Sequence, residues 1–410
     1  HGPVIFGDPE RDDEVIAARW ALTEACHDTD AMLDVVHATT AAEAREGFRE
    51  YDSVSGNFCF ADTAGDIGYQ YAGRIPKHAP MLVPVPGWDG EHEWDGFVPN
   101  VELPAEENPA RGYFITANNR TTTPDYPHYL TYMASRFRAD RLNELLGAQE
   151  RFGRQDMRQF QADVTSVGAR ALAPVFAAAP VSSGMPTRVC ELFDGWDGTL
   201  APESAAALAF DAVCEVLTAG TLRAFLARVA VKVSVTPYEE RRILIDQIEA
   251  GSTLMLPDGA GWPQLIGGAI EEAAAALVST FGDDASRWRW DARHVMRWRH
   301  NLGRQPELAD ALNLPPVGVG GDGTTPFATT SDSDATVMAG VSYRQILDLA
   351  DLNGAQICIP PGNSGQPGSP HYADNIDRWR TVEYHPLFID WGDIEANAEA
   401  RQELVPVPGD

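Results

Sequence analysis

The order in which pattern types follow one another limits this fold more than any single motif does. Apolar residues recur at helical spacing over 133–148, 156–178, 204–230, 237–250 and 267–281. On either side of that stretch the sequence reads as short strands and turns. Before it, residues 57–61 are an apolar run, 62–66 a turn and 67–71 a return strand. A further strand is expected over 113–116, and helices over 11–25 and 39–50. The second of these has Thr39 or Thr40 as N-cap and Glu43 within capping-box reach. Residues 76–110 are too rich in Pro, Gly and Trp to predict regular elements. After about 315, Gly-rich turns alternate with strands over 335–341 and 356–359, and a last helix is expected over 393–404. There is no fixed-period repeat. Strand-rich ends around a helical middle predict an α+β protein. One sheet-containing core, formed by 1–128 and 315–410, would be interrupted by a mainly helical insertion over 129–314.

Composition narrows the partners. The chain carries 31 Lys+Arg against 60 Asp+Glu, a net charge of −29, which repels DNA, RNA and anionic lipid. Only Lys77 and Lys232 are lysines. A carboxylate-rich, Lys-poor surface suits a salty medium that screens its self-repulsion, and a GC-rich genome accounts equally well for the Lys deficit. No apolar run reads as approaching the roughly 18 residues needed to span a bilayer. The cysteines Cys26, Cys59, Cys190, Cys214 and Cys358 contain no CxxC spacing, which excludes a zinc ribbon or a disulfide-dense scaffold. Cys59, inside the apolar run 57–61, is expected to be a buried, inert thiol.

Several short motifs lack the context their chemistry needs. Gly320-Gly321-Asp322-Gly323 has neither the Lys-Ser/Thr nor the helix start of a phosphate loop, so it reads as a tight turn. Asp332-Ser333-Asp334 resembles half a calcium loop without the required Gly and bidentate Glu. His371 and His385 form no HExxH-type pair, and Asn363-Ser364-Gly365-Gln366 is a loop, not a strand-to-helix nucleophile elbow. The segment 112–120 is different, because it runs into two adjacent carboxamides, Asn118 and Asn119. An Asn side chain is a neutral donor able to hold an oxyanion. Two asparagines also suit a turn at a strand end, and Asn119-Arg120-Thr121 fits the N-glycosylation pattern. The residues alone leave all three readings open.

Five separated stretches, taken in order, decide more. They are His1-Gly2-Pro3-Val4; Asn57-Phe58-Cys59-Phe60-Ala61-Asp62 to Gly68-Tyr69, with Gly73-Arg74-Ile75-Pro76; Pro84-Val85-Pro86-Gly87-Trp88-Asp89-Gly90 to Trp94-Asp95-Gly96; Thr116-Ala117-Asn118-Asn119-Arg120; and a last group. That group is Gly321-Asp322-Gly323, Ser342-Tyr343-Arg344 and Ser364-Gly365-Gln366-Pro367 to Ser369-Pro370-His371-Tyr372. The chain thereby resembles the penicillin acylase (penicillin amidase) family of N-terminal-nucleophile hydrolases, and specifically most of the β subunit. The resemblance implies a four-layer αββα sandwich with helical additions, and a precursor that cleaves itself into α and β chains. It implies a nucleophilic Ser at the new β-chain amino terminus. The amino group of that residue, with an unperturbed pKa near ~8, would serve as base. By position, Asn118 matches the family's side-chain oxyanion donor. Arg138 best matches its active-site arginine, with Arg136, two residues earlier, as a rival. Asn119 is read as structural.

The departures are as instructive. Residue 1 is His, and the chain opens with neither an initiator Met nor a signal peptide, so processing or truncation is expected. The nucleophile and the backbone oxyanion donors near it are expected from an upstream segment or another chain, leaving this segment inactive by itself. No cofactor is required for the chemistry. The structural calcium of some members lacks an obvious second acid between Asp125 and Arg138. The expected partners are a small N-acyl amide substrate, the α chain and the front of the β chain, with no nucleic acid and no membrane. A β-lactam side-chain amide, an acyl-homoserine lactone or a related N-acyl compound is the expected kind of substrate. A non-catalytic relative acting as a binding or structural module is the alternative. Trp88 and Trp94 are read as loop or core packing more than substrate access. Family habit places the protein outside the cytoplasm.

Overall fold

The computed structural model describes residues 2–23, 27–78, 84–130, 135–229, 235–332 and 336–405. The chain divides into two units, His1–Ala134 and Ser135–Asp410. Cys26 lies outside the described residues, as do Ser333 and Asp334 of the half calcium loop.

In the first unit, β1 (Val4–Phe6) pairs antiparallel with β2 (Ile16–Ala17), where a helix over 11–25 was expected. The acidic stretch between them explains the difference. Asp12 Oδ2 accepts from Asp8 N at 2.7 Å and Asp8 Oδ1 from Glu10 N at 3.0 Å, so carboxylates close a turn in competition with helix. A helix does form at α1 (Asp28–His37), with Asp28 and Asp30 in its first turn, where the helix dipole favours acids. Its successor α2 (Ala41–Gly47) begins as expected. Thr40 Oγ1 accepts from Glu43 N at 3.1 Å, and Glu43 Oε2 accepts from Thr39 N at 2.8 Å.

The expected hairpin is present as β3 (Gly56–Ala61) and β4 (Ile67–Ala72), closed by Asp62, whose carboxylate accepts from Ala64 N and Asp66 N. Alternation along β3 sends Phe58 and Phe60 to one face, where both stack on Phe48 with ring centroids 4.0 and 5.5 Å away. Cys59 therefore points to the other face, on an edge strand, and is exposed. That corrects the expectation of a buried thiol, although partial desolvation still raises its pKa against the opposing effect of Thr116. A third strand, β5 (Ala105–Glu107), pairs with β4 inside the stretch expected to be irregular. It is a polar edge strand with no hydrophobic alternation to announce it. Residues 113–116 form no strand. Phe114 instead packs on Tyr69, with ring centroids 5.8 Å apart, beside the buried Tyr71, Ile75, Val98, Leu103 and Leu130.

In the second unit the helices are α3 (Phe137–Gly147), α4 (Arg154–Ala162), α5 (Val167–Ala177), α6 (Met185–Phe193), α7 (Ala205–Thr218), α8 (Ala224–Arg228), α9 (Pro237–Glu249), α10 (Trp262–Phe281) and α11 (Pro306–Leu312). The single helix expected over 156–178 is broken in two. Asp163 accepts from Thr165 N at 2.9 Å, and Ser166 then caps α5 by accepting from Ala169 N at 3.2 Å. Small residues let α7 and α10 pack closely: Ala206, Ala207 and Ala209 on one, and Gly267, Ala269, Ala273 and Ala274 on the other, are all buried. A Cβ at Gly267 would collide with the carbonyl oxygen of Pro180. Residues 205–228, helical throughout with a π turn at Ala219–Arg223, are long and apolar enough to cross a membrane. This overturns the reading that no such run exists. Two thirds of its most apolar 18-residue window is buried inside the protein, which makes it a core helix by position.

Two small sheets follow. β6 (Val295–Met296) lies between β7 (Val317–Gly318), antiparallel, and β9 (Thr336–Gly340), parallel, and β8 (Thr329–Ser331) completes the order β7-β6-β9-β8. β10 (Arg344–Ile346), β11 (Gln356–Cys358) and β12 (His385–Pro386) form an antiparallel trio. Met296, Val319, Phe327, Val337, Cys358 and Val382 pack around Trp379 of α12 (Ile376–Thr381). The last helix, α13 (Trp391–Ala396), stops well short of the expected 393–404. The architecture is mixed α and β.

The glycine-rich turn at 320–323 is structural. Asp322, 5% exposed, accepts from Thr324 N at 2.7 Å and pairs with Arg241 of α9. Arg241 also pairs with Asp211 of α7, which takes a second guanidinium from Arg293 at 2.9 Å. One buried ionic cluster thus joins α7, α9 and the turn. Burial by itself would lower the pKa of Arg241, but Asp322 and Asp211 outweigh it and hold the charge in place.

Candidate functional site

The two carboxamides at the end of 112–120 have different jobs. Asn119 Oδ1 accepts from Ala117 N at 2.9 Å, and its Nδ2 donates to Arg120 O at 3.1 Å, so the side chain is consumed in shaping the turn. Its neighbour Asn118 adopts φ +61°, in the left-handed region that Asn tolerates better than other side-chain-bearing residues. Ala117 is buried and Asn118 is exposed. The turn thus buries its small residue and presents the adjacent carboxamide.

Two anchors fix this turn. Arg120 donates from Nε to Thr122 Oγ1 at 3.1 Å and from Nη2 to Thr123 O at 2.8 Å. The Tyr69 hydroxyl of β4 lies 2.8 Å from Thr121 Oγ1 and donates to Asn57 Oδ1 at 2.6 Å. Burial pushes the Tyr69 phenol up to about 12, so it stays a neutral donor across the physiological range. The expected hairpin is therefore the platform on which the Asn118 turn is held. Asn118 has the chemical type an oxyanion donor needs: a neutral N–H group that no proton transfer consumes. Sequence reasoning missed Tyr69 as an anchor, and its only signal was a Tyr inside an otherwise ordinary strand.

Arg138 lies in the second unit, in the first turn of α3, partly buried between the buried Phe137 and Ala139. The rival Arg136 is exposed and engaged at the surface, with Asp140 at 2.8 Å and Glu249 at 3.6 Å. Asn118 and Arg138 thus fall in different units. Trp88 is 88% exposed, which corrects its reading as a packing residue. Trp94 is packed, with the Arg19 guanidinium 4.4 Å from its ring centroid. His371 stands between Asp374 and Glu399, each at 2.9 Å, and these two carboxylates, Asp374 foremost, raise its pKa. Among the described residues no three His, Cys, Asp or Glu side chains gather as a metal-binding group.

Residues 1–396 match the family model described as penicillin amidase. The penicillin acylase 2 proenzyme of Pseudomonas sp. (strain SE83) is 31% identical over 99% of this chain and 53% of its own length. The acyl-homoserine lactone acylase QuiP of Pseudomonas putida is 27% identical over 100% of this chain and 53% of its own. A solved structure, the thermostable penicillin G acylase from Alcaligenes faecalis, superposes with a TM-score of 0.60 at 20% identity. It covers 93% of this chain and 72% of that one, a likeness of fold. The chain spans about half the length of the curated relatives it matches.

Proposed function

Because the chain belongs to the penicillin amidase family, we propose that it is part of an amidohydrolase that cleaves N-acyl amide bonds. The observation that carries this reading is the match over residues 1–396, with relatives named as penicillin and acyl-homoserine lactone acylases. The presented carboxamide of Asn118 supplies a group that such chemistry needs. A side-chain amide of a β-lactam, an acyl-homoserine lactone or a related N-acyl compound is the substrate class. The fold in this reading is the four-layer αββα sandwich with a helical insertion.

The nucleophile is an N-terminal Ser outside residues 1–410, on the front of a β chain that assembles with an α chain. Its hydroxyl oxygen attacks the amide carbonyl carbon while its own amino group takes the hydroxyl proton. The carbonyl oxygen becomes an oxyanion and accepts a hydrogen bond from Asn118 Nδ2. Collapse breaks the C–N bond, the amine leaves with the proton, and an acyl ester remains. Water adds to that ester by the same route and releases the carboxylate. Arg138 orients the groups around the nucleophile and takes no proton. No cofactor enters any step.

Full-length protein is tested on chromogenic N-acyl anilides with short, long and aromatic acyl groups. Turnover of at least one is expected. No turnover across the panel would overturn the assignment and favour a binding or structural relative.

The charge fits export into a salty medium, which belongs to the same reading. A net charge of −29 repels itself over about 30 Å in 0.01 M salt and about 3 Å in 1 M. Both the unfolding temperature and the activity are expected to be higher in molar NaCl than in dilute buffer. Equal values in the two media would contradict it.

A further inference from the structure

A cleft of about 420 Å³ opens in the second unit between the chain after β6 and the loop after β11. Its chemistry differs from the rest of the protein. In a chain with 60 Asp and Glu residues, none lines this cleft among the described residues. Arg299 does line it, and among the described residues it makes no ion pair or hydrogen bond. Arg299 is exposed, and it is one of several arginines of this chain not committed to a carboxylate, here in a wall that no acid lines. Asp374, whose Oδ1 lies beside Gly362 of that loop, is engaged through Oδ2 with His371.

The remaining walls add donors and an apolar surface. His300 Nδ1 accepts from Leu302 N at 3.1 Å, so the neutral ring carries its proton on Nε2 and is a donor there. Trp298, Leu314 and Pro361 supply apolar wall. The walls are already held in place. Leu314 N donates to Trp298 O at 3.1 Å, His300 N to Asn313 Oδ1 at 3.0 Å, and Ser364 N to His371 O at 3.0 Å. Gly362 is required at the loop, because a Cβ there would collide with the carbonyl oxygen of His371. A preformed site loses little on binding.

We propose that this cleft binds a small organic anion, with its oxyanion on Arg299 and its apolar body against Trp298, Leu314 and Pro361. The inference does not depend on the proposed amide chemistry. The test is calorimetric titration of the full-length protein with benzoate, phenyl phosphate, benzamide and inorganic phosphate at one fixed salt concentration. Benzoate or phenyl phosphate should bind, and the tighter of the two identifies the head group. Arg299→Ala should weaken that binding about tenfold or more while anilide turnover stays unchanged, which separates this cleft from any product site. Binding unaffected by Arg299→Ala, equal binding of neutral benzamide, inorganic phosphate as tight as phenyl phosphate, or no binding of either aromatic anion would each overturn the proposal.

Discussion

Asn118→Ala is expected to lower kcat for amide hydrolysis by about 10²–10³. KM should change little, because the donor acts on charge that develops only in the transition state. The substituted side chain is exposed, so the loss of stability should be limited to the roughly 1–2 kcal/mol that Ala costs at φ +61°. The turn itself would remain, since Asn119 closes it onto Ala117 N and Tyr69 holds Thr121. Circular dichroism matching the wild type and an unfolding shift confined to that backbone cost, with kcat lowered, would establish the role. Wild-type turnover would remove Asn118 from the mechanism. Asn119→Ala should behave in the opposite way, disturbing the turn by loss of its two backbone contacts.

The second large effect is structural. Arg241→Met should destabilise the second unit by about 3–5 kcal/mol, because removing one partner strands the others in the interior. Asp211 and Asp322 are 7% and 5% exposed, and both lose a guanidinium. Arg293 remains on Asp211, so Asp322 is left worse off. The check is the urea midpoint with the slope unchanged. Adding Asp322→Asn to Arg241→Met should recover part of the loss, since the stranded charge is then gone. A midpoint shift worth less than about 1 kcal/mol would show that the cluster is not stabilising in this way.

The parts of the fold that sequence reading found were those written in local pattern. The hairpin of β3 and β4 was legible because Asp62 to Gly65 is a strong turn signal between two apolar runs. The long helices were legible because apolar spacing is itself the signature of a half-buried helix. The failures share a different cause. Residues 8–12 form a turn because carboxylates compete for backbone N–H groups, which hydrophobic pattern ignores. β5 is a polar edge strand with nothing to bury on one side. Phe114 looks strand-like by type, yet its partner is the Tyr69 ring and not a neighbouring backbone.

The site divides along the same line. Asn118 was singled out through the order of motifs along the chain. The left-handed backbone that presents it was not legible, because it depends on Asn119 and on a tyrosine far away in sequence. Arg138 over Arg136 was a matter of alignment. In the structure Arg136 is paired at the surface with Asp140 and Glu249.

The most direct test of the proposed chemistry is a partition ratio. Full-length protein is given an anilide and an ester that share one acyl group, each in the presence of hydroxylamine as a competing acceptor. If both substrates pass through one acyl-enzyme, the leaving group has departed before the acyl group meets water or hydroxylamine. The account predicts the same ratio of hydroxamate to carboxylate from both. Different ratios, or no release of amine from the anilide, would contradict it.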